Sequence, residues 1–222
     1  MDNKIIMIKK AMEKKDLLNY CQLAFINGIN DAIAVIMLHK VFAVLMTGNI
    51  VFLVTDIATK FQFSDIVRLS LLFTFIGINI FMHNWTEKRS VVFRIILACC
   101  FVIIYIIVGT LELQYNNLTS NSWGFLLVAN IATIMGVIIN NMFYPLHRTK
   151  FNLVVYTVNL LNLSYSIAEK DYKEAQSLSI TIGSFILGLF VASFAVRYIQ
   201  FFTLIIILFV LFNLYRLNNS ES

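Results

Sequence analysis

Residues 28–59, GINDAIAVIMLHKVFAVLMTGNIVFLVTDIAT, form a mostly apolar stretch that carries two aspartates, a His-Lys pair and a Thr-Gly-Asn triplet. The hydrocarbon core of a bilayer is about 30 Å thick, and a helix crosses it with about 20 apolar residues. Polar and charged groups are costly at that depth unless they face protein or water. The stretch therefore indicates a membrane segment whose polar groups face something other than lipid.

The whole chain has the composition of a membrane protein. Its 222 residues are 59% hydrophobic and 13% charged, whereas soluble domains are about 25% charged. The runs are continuously apolar and do not alternate as the strands of a barrel would. We predict an all-α fold, a polytopic transmembrane helical bundle with six to eight spans. The candidate spans are Leu17–Leu38, Phe42–Thr59, Val67–Trp85, Val91–Leu111, Trp123–Phe143, Asn152–Ala168, Leu178–Tyr198 and Phe201–Leu217.

These runs leave no room for a soluble domain. Residues 1–16 contain five lysines and lack a leader cleavage pattern, so we expect this basic segment to stay in the cytoplasm. Two transmembrane units, 17–111 and 123–217, flank an extracytoplasmic loop at 112–122, and residues 218–222 form a polar tail. We attribute the net charge of +5 to topology and lipid attraction, because no basic-aromatic pattern argues for nucleic acid.

The two units repeat a pattern at a spacing of 110 residues. The segment TGNIVFLVTDIATK, which begins at Thr47, matches TVNLLNLSYSIAEK, which begins at Thr157. We predict an internal duplication, which is a feature of secondary transporters whose sites lie where the repeats meet. Four crossings per unit would give parallel repeats. Three would give inverted repeats, with 17–59 and 123–168 each crossing once as a re-entrant pair. Loop charge agrees with three crossings, but three crossings place Lys40 and Arg148 at membrane depth, so both arrangements stay open.

The pattern FINGINDA followed by VFAVLMTGNIV resembles the YoaK-like family of bacterial integral membrane proteins. The second unit departs from the family, because Ile138 and Ile139 stand in place of a Gln-Asn pair and Val158 in place of a glycine. The resemblance implies a multi-pass protein of the bacterial inner (plasma) membrane and a domain of unknown function. The residues at family positions are Gly28, Asp31, Ala32, Val41, Phe42, Met46, Thr47, Gly48 and Asn49, with Gly136 and Arg148 in the second unit.

Asp31 is the polar residue whose position in an apolar segment is the most unusual. A carboxylate at the bilayer centre costs at least about 2.5 kcal/mol on insertion scales, so Asp31 should face protein or water. Asn27 lies one helical turn before it on the same stripe. A protonatable or ion-coordinating carboxylate and a purely structural hydrogen bond to a neighbouring helix both fit. The small residues Ala24, Gly28 and Ala32 on this segment, Ala132 and Gly136, and Ser184 and Gly188 have the spacing of helix-packing positions.

Thr47, Gly48 and Asn49 are typical of a helix start, because threonine and asparagine are N-cap residues and glycine permits close approach. Thr157 and Asn159 repeat this arrangement without the glycine. If both helices start within the bilayer, their positive dipole ends would favour an anion together with the nearby side chains of Lys40 and Arg148. The alternative is that these residues only cap helices at a water interface.

The leading functional hypothesis is a secondary transporter or permease of a small solute, for which these cationic groups would suit an anion. A membrane-embedded enzyme acting on a lipid and an accessory subunit without its own substrate are the alternatives. No nucleotide-binding signature is present, and no His/Cys/Asp/Glu spacing suggests a metal site. We expect no cofactor, the lipid bilayer and an unidentified solute as partners, and a homodimer as a reasonable assembly for a 25.5 kDa chain.

Overall fold

The structure is a computed structural model that describes residues 2–86, 89–116, 118–142 and 156–219. Within these ranges the side chains of residues 2–14, 84, 86, 116, 156 and 157 are not described. The described part of the chain is almost entirely helical, which confirms the predicted all-α class.

Eight α-helices follow one another along the described residues. The apolar runs produce them because a segment in a low-dielectric environment must satisfy its backbone hydrogen bonds internally. A 3-10 helix at Gln200–Leu204 separates the last two, and Gln200 has a φ of 48° there. The α-helices are α1 (Asp2–Met37), α2 (Met46–Thr59), α3 (Phe63–Thr86), α4 (Val91–Asn116), α5 (Trp123–Asn140), α6 (Tyr156–Ala168), α7 (Tyr172–Ile199) and α8 (Ile205–Asn219).

Five helical segments among the described residues are long and apolar enough to cross a membrane. The helix α2 is apolar but only 14 residues long, which is shorter than a full crossing requires. The chain is therefore a membrane protein built as a helical bundle. The five segments are Lys15–Met37, Phe63–His83, Val91–Tyr115, Trp123–Asn140 and Tyr172–Asn219.

Helix α5 lies at the centre of the bundle, against α1, α3 and α4. It runs antiparallel to α1, because the rings of His39 and Phe125 are 5.8 Å apart at one end while Asn27 reaches Asn140 at the other. It runs parallel to α3, since Phe63 contacts Trp123 near both helix starts. Twelve of its residues are buried, so it forms much of the core.

Helix α7 packs along α1 in the largest helix–helix interface of the bundle. The two helices cross at Gly28 and Gly188, where each glycine faces the backbone of the other helix. A Cβ atom at Gly28 would meet the carbonyl oxygen of Phe185, and one at Gly188 would meet that of Phe25. The absence of side chains at both positions therefore sets how closely the two helices approach.

The connection between α1 and α2, residues 38–45, turns back into the bundle, and we call it the re-entrant connection. The backbone N–H of Val44 donates to Asp31 Oδ1 at 2.9 Å, although Asp31 lies six residues before the end of α1, about 9 Å at 1.5 Å per residue. Helix α2 begins at this depth and ends close to α3, whose first residue, Phe63, is beside Trp123. The end of α1 and the end of α2 therefore lie at the same end of the bundle.

The helix boundaries differ from the apolar runs at two places. Helix α1 extends back to Asp2, so residues 2–16 of the basic segment are continuous with the first membrane helix. Helix α4 extends to Asn116, so residues 117–122 connect it to α5. Polar ends continue as helix because the backbone hydrogen bonds of a helix propagate at little cost once it has formed.

Candidate functional site

The Asp31 carboxylate is buried against the backbone of the re-entrant connection. Asp31 is 1% exposed, and its Oδ1 atom accepts the hydrogen bond from Val44. The N–H groups of Ala43 and Leu45 also lie close enough to interact favourably with this carboxylate. Its Oδ2 atom is buried and has no hydrogen-bond partner among the described residues. Asp31 therefore holds the connection in place and keeps one oxygen for another group.

Two asparagines of α1 reach across to α5. Asn27 donates through Nδ2 to Asn140 Oδ1 at 2.7 Å, and Asn30 donates through Nδ2 to the carbonyl oxygen of Ala132 at 3.2 Å. Both asparagines are fully buried. These side chains satisfy part of their hydrogen-bonding capacity within the bundle, which is the usual requirement for polar groups away from water.

Gly136 of α5 is the point where Asn30 and the re-entrant connection meet. A Cβ atom there would lie 2.6 Å from Val44 Cγ2 and 3.2 Å from Asn30 Nδ2. Thr133, one turn earlier on α5, is fully buried, and its hydroxyl has no hydrogen-bond partner among the described residues. We call this region the polar junction and define it by Asn27, Asn30, Asp31, Thr133 and Asn140.

A cavity of about 240 Å³ opens beside the polar junction between α1, the re-entrant connection and α7. Asp31 and Ser193 supply its polar side chains, and Phe42 and Phe185 supply aromatic surface. A mostly apolar pocket with few polar groups is the usual form of a small-molecule site. The cavity can take a small solute with one polar or cationic group.

Helix α2 begins at Met46, one residue before the predicted start, but it is not capped as the sequence suggested. The residue at the N-cap position, Leu45, makes no side-chain hydrogen bond, and Thr47 is exposed in the first turn. Asn49 instead accepts from the N–H of Phe42 at 3.0 Å and donates to its carbonyl oxygen at 2.7 Å. Its amide thus fixes the re-entrant connection, and the capping role assigned to Thr47 is wrong.

The remaining predicted pathway residues are scattered. Gly48 lies against the ring of Phe42, and Lys40 is exposed with a φ of 65°. Asn159 is fully buried in α6. Thr157 falls in the first turn of α6 with a side chain outside the described part, and Arg148 lies outside the described residues altogether.

The predicted packing residues lie at several different contacts. Ala24 and Ala32 are buried along α1, on either side of the Gly28 crossing. The carbonyl of Ala132 accepts from Asn30. Ser184 is half-buried on α7, where its hydroxyl donates to the carbonyl of Ile180 and lines an open groove between α1, α7 and α8.

One further polar cluster lies outside the predicted site residues. Arg68 binds Asp56 and Asp65, at 2.5 and 2.7 Å, and lies 5.1 Å from the centre of the Phe52 ring. This cluster fastens the end of α2 to α3. An Asp and an Arg three residues apart at a helix start form the local signal that points to it.

The contacts of Asn30 and Thr133 were not predicted from the sequence either. The spacing of 110 residues that aligns Thr47 with Thr157 also aligns Asn30 and Asp31 with Asn140 and Asn141. The internal-repeat prediction placed Gly28 opposite Gly136, which is a different spacing, and so it did not include this match. No pattern identifies Thr133, because a threonine among apolar residues is common in membrane helices.

Among the described residues, no group of three or more His, Cys, Asp or Glu side chains is arranged to hold a metal ion. The bundle of long apolar helices defines a multi-pass membrane protein. A family model described as a protein of unknown function (DUF1275) matches residues 20–215. The chain belongs to this family, with which the YoaK-like resemblance is consistent. Comparisons with curated proteins and with solved structures find no match.

Proposed function

We propose that this protein is a secondary transporter or permease of a small solute and that the polar junction lies on the solute pathway. The observation that carries this proposal is the buried carboxylate of Asp31, which borders a cavity and has one oxygen without a hydrogen-bond partner among the described residues. A membrane protein keeps an ionisable group at such depth at a substantial free-energy cost, which makes it a functional-site hypothesis by default.

The proposed inverted repeat is supported by the order and contacts of the helices. Each half has a long helix, a short helix and two further helices, and α2 and α6 begin 110 residues apart. The α1–α7 contact corresponds to the α5–α3 contact when the two halves are exchanged, and α2–α3 corresponds to α6–α7. We infer that the units 17–111 and 123–217 are related in this way.

Three net crossings per unit follow from this proposal. The α1–α2 pair counts as one crossing because α2 returns to the end where α1 finishes. The remaining crossings would place Arg89, which lies between α3 and α4, on the same side as the N-terminus. That arrangement agrees with a cytoplasmic N-terminus in a bacterial inner membrane, because basic loops stay on the cytoplasmic side.

The charge of the proposed solute depends on which groups reach it. The cavity beside Asp31 carries a carboxylate and no cationic side chain among its described lining residues. This favours a cationic solute, or a solute that moves together with a cation or proton. An anionic solute would need Arg148, and this alternative stays a prediction.

The test is uptake into proteoliposomes that contain the purified protein. A panel of small amines, amino acids and carboxylates is screened with a proton gradient, a sodium gradient or neither. Asp31→Asn should abolish gradient-dependent uptake, because it removes the charge while its side-chain oxygen can still accept from Val44. Asp171→Asn at the start of α7 is the matched control, since this exposed residue caps its helix and should leave uptake unchanged.

Two outcomes would count against this assignment. Normal gradient-driven uptake by Asp31→Asn would exclude Asp31 as the coupling group. A complete lack of uptake by a well-folded wild-type protein, across the panel and both gradients, would favour an accessory subunit. A lipid-modifying enzyme is less favoured, because the described residues hold no cluster of acidic and histidine side chains for such chemistry.

A further inference from the structure

Three buried oxygen atoms of the polar junction have no hydrogen-bond partner within the part of the chain that the structure describes. They are Asn30 Oδ1, Asp31 Oδ2 and Thr133 Oγ1, and each atom is buried. A buried polar atom without a partner costs about 1–3 kcal/mol, and native proteins leave few of them. Three such oxygens in one place therefore indicate that something else binds there.

Several contacts bring the residues that carry these oxygens into one neighbourhood. Asn30 and Asp31 are consecutive on α1, and the Asn30 amide bonds to the carbonyl of Ala132, the residue before Thr133. Val44, which donates to Asp31, contacts the same side of Gly136 as Asn30 does. The residues that carry the three oxygens thus lie near the point where α1, α5 and the re-entrant connection meet.

We propose that these three oxygens form a binding site for a monovalent alkali-metal cation at the polar junction. Carboxylate, amide and hydroxyl oxygens are ligands for hard cations. Asp31 brings one negative charge, and a buried charge needs a partner of opposite sign. One monovalent cation balances that charge, whereas a divalent ion would leave an excess positive charge in the bundle.

The site also explains why the re-entrant connection bonds to only one oxygen of Asp31. The Val44 N–H holds Oδ1 and orients the carboxylate, which leaves Oδ2 for the cation. Tyr105 on α4 is the other titratable side chain within electrostatic reach of Asp31. Its buried hydroxyl also has no hydrogen-bond partner among the described residues, so it is an additional candidate oxygen ligand.

This inference rests on the proposed function only for its role as a coupling ion, because binding can be measured without transport. The purified full chain in detergent is heated in NaCl or KCl, with choline chloride added to hold ionic strength constant. A ligand that binds the folded state alone raises the unfolding midpoint with concentration. We expect a dose-dependent rise in NaCl or KCl that is not seen in choline chloride.

Two variants and a control locate the site. Thr133→Val replaces the hydroxyl by a methyl group of similar size, and Asp31→Asn removes the charge. Both should lose the cation-dependent rise, or need at least about tenfold more cation, which corresponds to about 1.4 kcal/mol. Thr110→Val is the matched control, because the Thr110 hydroxyl on α4 is also buried without a partner among the described residues but lies outside the junction. It should keep the full rise.

If a variant unfolds at too low a temperature to give a clear unfolding transition, the binding of radioactive sodium to the purified protein is measured directly. Wild-type protein that shows no rise and no binding with either cation would overturn the site. A response retained in both Thr133→Val and Asp31→Asn would overturn it as well. Proton-driven uptake without cation binding would leave the transport proposal standing. Cation binding without any uptake would support the site and contradict transport.

Discussion

The α1–α7 and α3–α5 interfaces both join apolar helices, but they do so by different means. At α1–α7, Gly28 and Gly188 let the two backbones touch. At α3–α5, side chains bond across the gap: Asn130 accepts from Thr74 at 2.5 Å and donates to Ser70 at 3.0 Å. Hydropathy therefore does not determine how two membrane helices associate, because small residues and polar side chains are alternative sources of attraction in lipid.

The difference has a consequence for movement. Backbone contact at a glycine crossing depends on close shape matching over a short distance, so it does not tolerate displacement. Hydrogen bonds between long amide side chains, such as that from Asn141 to Asn79 at 3.0 Å, can adjust as rotamers change. If the bundle moves during a transport cycle, we expect α1 and α7 to move as one unit and the α3–α5 contact to adjust.

The largest effect is expected from Gly28→Ala. The added Cβ atom would overlap the Phe185 carbonyl, and overpacking of this kind costs about 1–3 kcal/mol. Unfolding of the purified protein in mixed micelles, monitored by circular dichroism, measures the loss. Gly183→Ala on α7 is the control, because a Cβ atom there meets nothing within 4 Å. Equal stability of the two variants would show that the crossing is looser than described.

A smaller loss is expected from Asn130→Leu. The substitution removes the hydrogen bonds to Ser70 and Thr74, and such bonds between membrane helices average about 0.6 kcal/mol with a maximum of about 1.7. A double-mutant cycle with Thr74→Val isolates the pairwise free energy from the same unfolding measurements. A coupling energy of zero would mean that packing alone holds α3 to α5.

The smallest effect, with the opposite sign, is expected from Gly77→Ala. Gly77 lies on α3, is exposed, and has nothing within 4 Å of an added Cβ atom. Alanine lowers the conformational entropy of the unfolded chain, so the variant should gain roughly 0.5–1 kcal/mol. A loss of stability would reveal a close neighbour at Gly77, such as a second copy of the chain. Helix α3 would then pack closely at a glycine, as α1 does.

Much of the architecture could be predicted from the sequence because it depends on composition. Each apolar run contains a helix or most of one among the described residues, and the runs Phe42–Thr59 and Asn152–Ala168 contain the short helices α2 and α6. Asp31 could be recognised as unusual because the free-energy cost of a carboxylate in lipid does not depend on tertiary structure. The hydrogen-bond partner of Asp31 could not be predicted, because the Val44 N–H belongs to a connection whose backbone path does not follow from local sequence.

The sequence alone determined the helical membrane class, the family motif and the positions of the polar groups, because hydropathy and helix length are local properties. Only the tertiary structure decided that Asn49 fixes the re-entrant connection instead of Thr47 capping α2, and that Gly28 meets Gly188. It also brought Asn27 to Asn140, 113 residues away. Such contacts depend on the mutual packing of distant segments, which no single stretch of sequence specifies.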